Sequence, residues 1–250
     1  MRFVDCNCCF GQPSKPTPSP ATCSTVDDLL AELARVGIEQ AVVWHVAQYD
    51  VSPQRGNEML AEDIAPHDNL LGCWTLLPNQ TGEMPVDRLL ADMKEAGVVA
   101  LRAFPGPHRY LLNRLTLGPL LDAMVEHRIP MIVSMKRGTT WQEVYALMAE
   151  VPDLRLIIAD HGSWGCDRFF RPLFERYEHV YVDTALYFLD GGIEDVVRTY
   201  GPGRILFGSG LPERYPGGMM MYIRHSQMDD ESRAALAGGN MERLIAEVQL

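Results

Sequence analysis

Residues 154–184 read LRLIIADHGSWGCDRFFRPLFERYEHVYVDT. A short apolar run, Leu154 to Ala159, stops at the polar pair Asp160-His161. A helical pattern follows from Arg168 to Tyr177, and a second apolar run ends in Asp183-Thr184. Strand, amphipathic helix and strand in that order form a unit whose two strands lie parallel, with the helix crossing back over the sheet. Outward from this stretch the alternation continues in both directions. Strands are expected at about 2–7, 40–46, 71–76, 98–103, 130–135, 154–160, 179–184 and 203–208.

The helices between them carry their own punctuation. Val26 to Val36 puts Val26, Leu29, Leu30, Leu33 and Val36 on one face, with Ser24 or Thr25 as N-cap and Gly37 as stop. Leu89, Leu90 and Met93 mark the helix after the third strand, and Gly97 ends it. Leu117 to His127, Trp141 to Glu150, Arg168 to Tyr177 and Ile193 to Tyr200 continue the series. Eight βα units in 250 residues suit a single α/β domain, 1–250, closed as a (β/α)8 TIM barrel. An open doubly wound sheet is the competing architecture. Its glycine-rich turn is missing from Asn7-Cys8-Cys9-Phe10-Gly11-Gln12. The Pro/Ser-rich segment 12–20 is expected as a loop over the barrel mouth.

Composition narrows the function classes. With 33 acidic and 22 basic residues the net charge is -11, and no Lys/Arg block offers a phosphate-binding surface, so nucleic acid is excluded as a partner. No apolar signal core and no membrane-length apolar window occur, which points to a cytoplasmic protein without a membrane partner. The six cysteines read as free thiols. The run Gly217 to Tyr222 looks like a helix start that buries methionines in the core or against a second subunit of a homo-oligomer.

In such a barrel the chemistry sits at the C-terminal ends of the strands. Those ends carry Asp5-Cys6-Asn7-Cys8-Cys9, Trp44-His45, Cys73-Trp74, Arg102-Ala103-Phe104, Ser134-Met135-Lys136, Asp160-His161, Asp183-Thr184 and Gly208-Ser209-Gly210-Leu211-Pro212. Period-two alternation sends Asp5, Asn7 and Cys9 inward together, Arg102 with Ala100 and Phe104, and Lys136 with Ser134. Arg102 and Lys136 then hold a substrate carboxylate, with Trp44, His45 and Ser134 contacting the rest of a small molecule. They read equally as ion-pair partners of Asp5, Asp160 or Asp183. His161 is the acid/base candidate, and Cys9 is either a small buried thiol or a nucleophile within hydrogen-bond reach of His161. Asp183 caps a turn or assists chemistry.

These strand ends resemble the amidohydrolase-related family. Asp5, Asn7, Cys9 and Gly11 stand at the steps of its opening D-x-H-x-H-x-G; the apolar strand ending in His161-Gly162 is similar to its sixth strand. Arg204-Ile205-Leu206-Phe207-Gly208-Ser209-Gly210-Leu211-Pro212 resembles its eighth, and Gly238-Gly239-Asn240-Met241-Glu242-Arg243-Leu244 its closing helix start. The resemblance implies a TIM barrel and a divalent-metal hydrolase. The family's ligands are two histidines on strand 1, one each on strands 5 and 6, and an aspartate on strand 8. Here Asn7, Cys9, Ser134 and Gly210 replace all but His161. A catalytic zinc takes about three protein ligands, so no metal cofactor and no binuclear centre is expected; a single ion on Cys9, His161 and Asp183 is the form one would take. The expectation is therefore an amidohydrolase-like enzyme that hydrolyses a lactone, ester or amide, or decarboxylates a small acid, using His161, Cys9, Asp183 and Asn7. Its competitors are a non-catalytic ligand-binding or assembly barrel and a metal hydrolase with relocated ligands.

Overall fold

The computed structural model of the chain describes residues 1–15 and 23–250. The β-branched runs form eight parallel strands: β1 (Val4–Phe10), β2 (Gln40–His45), β3 (Leu70–Thr75), β4 (Val98–Ala103), β5 (Met131–Ser134), β6 (Leu156–Ala159), β7 (Val180–Asp183) and β8 (Ile205–Leu206). Each pairs with its sequence neighbour, in the order β1 to β8. Beyond the two residues of β8 the chain still meets β1. Cys6 donates its N–H to Phe207 O at 2.9 Å, Cys9 to Leu211 O at 2.9 Å, and Gly210 donates to Asn7 O at 2.9 Å. These bonds join the last strand to the first, so the fold is the expected (β/α)8 barrel.

Helices wrap it as the punctuation dictates. The helix Val26–Val36 opens on a capping box, in which Thr25 accepts from Asp28 N while the Asp28 carboxylate accepts from Thr25 N, and it closes on Gly37 at φ 81°. Trp141–Glu150 repeats the device with Thr140 and Glu143. The helix Pro53–Ile64, capped by Ser52, has no counterpart in the sequence reading. Its inward face carries Gly56 and Asn57 beside Leu60 and Ile64, which breaks the apolar stripe. Gly56 is required there, since a Cβ would lie 2.3 Å from Gln48 N. Asn57 accepts from Thr75 N and from Gln48 Nε2, and donates to Thr75 O, stitching this helix to β3.

The core has two layers. Inside the barrel lie Val4, Cys6, Val42, Ile132, Ile157 and Leu206, grouped with Met241 and Leu244 of the last helix, Asn240–Ala246. Between barrel and helices lie Phe3, Cys8, Phe10, Val43, Leu101, Val133, Ile158, Val182 and Phe207. The Asn240 amide ties the last helix to β8 by donating to Pro202 O and Ile205 O. In the helix Gly217–His225, Met219 and Met220 are core and Met221 is exposed. All six cysteines are buried free thiols. No described helix is long and apolar enough to cross a membrane. Of the Pro/Ser-rich segment 12–20, residues 16–20 lie outside the described residues; before them, Ser14 N donates to Asp50 Oδ2.

Candidate functional site

The site begins with an irregularity in β1. Asp5 faces Ala41 and Cys8 faces Val43, so three steps on β1 match two on β2: a β-bulge. The bulge corrects the expected alternation. Val4, Cys6 and Cys9 belong to the barrel interior and Asn7 joins them, whereas Asp5 turns away with Cys8. The Asp5 carboxylate accepts from Asn7 N and from Ser209 N, both at 2.9 Å, and so pins β1 to the β8 end. Its full burial raises its pKa.

Asn7 is the hub. Its Nδ2 donates to Asp183 Oδ2 at 2.8 Å and to Asp160 Oδ1 at 3.2 Å, and its Oδ1 accepts from Arg102 Nη2 at 2.9 Å. Ser134 Oγ donates to Asp160 Oδ2 at 2.6 Å, and Asp160 N donates to Asp183 Oδ1 at 3.0 Å. One network therefore links β4, β1, β7, β6 and β5. Asp160 reaches into it because its backbone adopts φ 54°, which swings the carboxylate back across the barrel. Burial, reinforced by the charge of Asp160, pushes the Asp183 carboxyl well above the usual carboxylate range.

Arg102 is only 1% exposed. Its guanidinium carbon lies 5.3 Å from the Trp44 ring centroid and 6.0 Å from that of Phe104. Its Nε and Nη1 are buried without a hydrogen-bond partner among the described residues. An unsatisfied guanidinium face in an apolar wall costs several kcal/mol's worth of lost solvation, so it marks where an acceptor belongs.

Lys136 does not join Arg102. The strand alternation stops at Ser134, the chain turns over Met135–Gly138, and Lys136 points outward, pairing with Glu213. Arg137, which the sequence reading passed over, takes the inner place. Its guanidinium lies 4.7 Å from the Trp44 ring centroid and 5.1 Å from that of Tyr49, and it also pairs with Glu213. Only a signal of loop geometry could have found it, and the sequence carries none.

His161 and Cys9 are not brought together. The His161 ring is wedged between Phe170 and Tyr187, with Nε2 3.0 Å from Asp183 O and Nδ1 3.3 Å from Cys166 Sγ. Burial lowers its pKa to about 4, so the ring is neutral near pH 7. Burial also pushes the Cys9 thiol up to about 12, against the pull of Arg137. His45 sits in the outer layer against Phe10, its Nδ1 accepting from Ala47 N, while its neighbour Trp44 faces the site.

A family-type metal can be tested against these donors. Among the described residues, no three His, Cys, Asp or Glu side chains cluster as a metal site. Both His161 nitrogens have protein partners, Ser134 spends its proton on Asp160, and Gly210 brings no side chain. The family's metal does not fit this donor set.

Fold and site together define a (β/α)8 barrel with a polar network and an aromatic-lined arginine at the C-terminal ends of its strands. Residues 9–245 match the amidohydrolase family model, and the chain belongs to that family. No curated protein matches it by sequence. Among solved structures it is similar to a 2,6-dihydroxybenzoate decarboxylase from Rhizobium, at 17% identity and TM-score 0.74, covering 98% of this chain and 99% of that one. It is also similar to a 4-oxalomesaconate hydratase from Rhodopseudomonas palustris, at 18% identity and TM-score 0.70, covering 98% and 96%. A 5-carboxyvanillate decarboxylase from Novosphingobium aromaticivorans, complexed with manganese and a nitrobenzoic acid, aligns at 13% identity and TM-score 0.71, covering 98% and 96%.

Proposed function

We propose that this protein is a small-molecule enzyme of the amidohydrolase family that takes a planar carboxylic acid at the barrel mouth and decarboxylates it. The observation that carries this reading is the unpartnered Nε and Nη1 face of Arg102, buried beside Trp44 and Phe104. A carboxylate supplies an acceptor to one of these nitrogens, Nε or Nη1, which lie on separate edges of the guanidinium, and the aromatic rings accept the rest of a flat molecule. The solved relatives that act on carboxylated aromatics support that substrate class.

The protonation states suit decarboxylation. Hydrolysis asks for a base near an attacking water. Here the His161 nitrogens are engaged and the Cys9 thiol holds its proton. Decarboxylation asks for an acid, and Asp183 keeps a proton where ordinary carboxyls have lost theirs. The bond between ring carbon and carboxyl carbon breaks, its electron pair stays on the ring carbon, CO2 leaves, and the Asp183 proton joins that carbon. His161 acts by position, gripping the Asp183 carbonyl.

A second reading has its own support. Arg102 is already linked through Asn7 to Asp160 and Asp183, and Lys136 pairs with Glu213. Such pairing suits a barrel that binds a carboxylate without turning it over. A panel of aromatic and enol acids, with lactones and esters as controls, separates the two. The enzyme releases CO2 from a carboxylated substrate, and Arg102→Lys or Asp183→Asn removes that release while the far-UV spectrum stays unchanged. Acids that raise Tm with no product assign the binding barrel. If no acid is turned over and none raises Tm, the carboxylate site itself is refuted.

A further inference from the structure

Two of the positions at which this family places its metal ligands, Asn7 and Ser134, belong here to a polar network with Arg102, Asp160 and Asp183. We infer that the guanidinium of Arg102 is the resident cation of this barrel: joined through Asn7 to Asp160 and Asp183, it supplies at the strand ends the positive charge that a divalent ion would otherwise bring.

The geometry argues for a replacement rather than a vacancy. Asn7 turns opposite polarities toward opposite partners, its carbonyl to the arginine and its amide hydrogens to the two aspartates. A histidine at this position has at most two ring nitrogens and cannot serve three partners in that way. Ser134, at the strand-5 ligand position, completes the second oxygen of Asp160. Two carboxyl groups held this close in the interior are costly, and a buried cation one residue away offsets part of that cost. The same cation would repel a divalent ion introduced beside Asn7, at an interaction strength well above that in water. Gly208 packs closely on this pair: a Cβ there would come within 2.7 Å of Asp183 Oδ2 and 3.2 Å of Asn7 Cβ. Both His161 nitrogens face protein atoms, and Cys9 lies close enough to Arg102 and Arg137 to feel both charges while keeping its proton.

This inference stands apart from the reaction at the mouth, so its test reads metal content and stability rather than turnover. Protein purified without chelator is analysed for metals by plasma mass spectrometry and melted with EDTA, Zn2+ or Mn2+. The expected result is metal far below one ion per chain and a Tm that chelator and added ions leave unchanged. Near-stoichiometric metal, with a Tm that falls on chelation, overturns the inference. The charge role is read separately from a cycle of Arg102→Met and Asp160→Asn. Asp160→Asn should destabilise the wild-type background but stabilise the Arg102→Met background, because there it removes an uncompensated charge. Equal effects in both backgrounds overturn the pairing. If Arg102→Met does not fold, recovery by adding Asp160→Asn supports the inference; failure of the double variant while Arg102→Lys folds counts against it.

Discussion

At the N-terminal face of the barrel, residues that precede the strands line a cavity of about 580 Å3, with Arg155, Arg204 and Arg243 among them. There Arg155 pairs with Glu247 at 2.5 Å, Arg204 donates to the carbonyls of Phe174 and Tyr177 at 2.7 and 2.9 Å, and Arg243 donates to Gly203 O at 3.0 Å. At the other face, Arg102 is more deeply buried than any of these, yet among the described residues it makes one such bond, to Asn7, and leaves Nε and Nη1 unsatisfied. The arginines of the lower face close loops and cap chain ends. The arginine of the upper face is short of acceptors, which is a sign of a ligand rather than of a brace. In a βα barrel this is the usual division, with stability at the start of the strands and chemistry at their ends.

The comparison breaks most visibly on stability and binding together. Arg102→Met should cost about 3–5 kcal/mol, since it strands the buried Asp160 carboxylate, and should abolish carboxylate-induced shifts in Tm. Arg204→Met should cost about 1.5–3 kcal/mol by loss of its carbonyl bonds and leave those shifts intact. Chemical denaturation with and without a bound acid measures both, and an Arg204 variant that also loses the shift would erase the distinction between the faces.

A pH scan sharpens the upper face. The His161 pKa falls from 6.5 unfolded to about 4 folded, so the unfolded chain binds the extra proton between those values. Stability from this group is complete above about pH 6.5 and declines as pH falls toward 4, by about 3 kcal/mol in all at 1.36 kcal/mol per pH unit. His161→Gln should flatten that part of the curve; an unchanged slope would place the acid sensitivity elsewhere. Asp183 shifts oppositely. Its raised pKa means stability present at low pH is lost, and the proton needed for decarboxylation disappears, as pH climbs through the raised value. CO2 release should therefore fall on the alkaline side.

Smaller effects follow from packing and surface charge. Gly208→Ala forces a methyl against Asp183 and Asn7 and should cost about 1–3 kcal/mol, read as a lower denaturant midpoint. Lys136→Ala removes an ion pair whose lysine side chain is 45% exposed and should cost under about 1 kcal/mol, without altering acid binding. A large loss of acid binding on Lys136→Ala would return this lysine to the site.

Much of the barrel was legible because each unit announces itself locally. The apolar runs, Thr25 and Thr140 as caps and Gly37 as a stop are read from neighbours a few residues apart. The helix Pro53–Ile64 was not, because its buried face is polar at Asn57 and bare at Gly56 for reasons that lie on β3 and at Gln48. At the site, Trp44, Ser134, Arg102, Asn7 and Asp183 were named from their places at strand ends, and the structure gathers them. Asp5, Lys136 and His45 escaped it for three separate reasons: a bulge, a turn after a short strand, and a place on the outer face of β2.

The sequence by itself determined the eight strands, most of the helices between them, the family and the substitution of the family's ligand residues, since these depend on residue types and their spacing. Only the tertiary structure decided what stands in their place. The β1 bulge, the positive φ of Asp160 and the turn before Arg137 set the direction of single side chains, and a network joining five strands depends on those directions. Periodicity specifies a face on average. A hydrogen bond needs an atom within about 3 Å, and that precision comes from packing across the whole barrel.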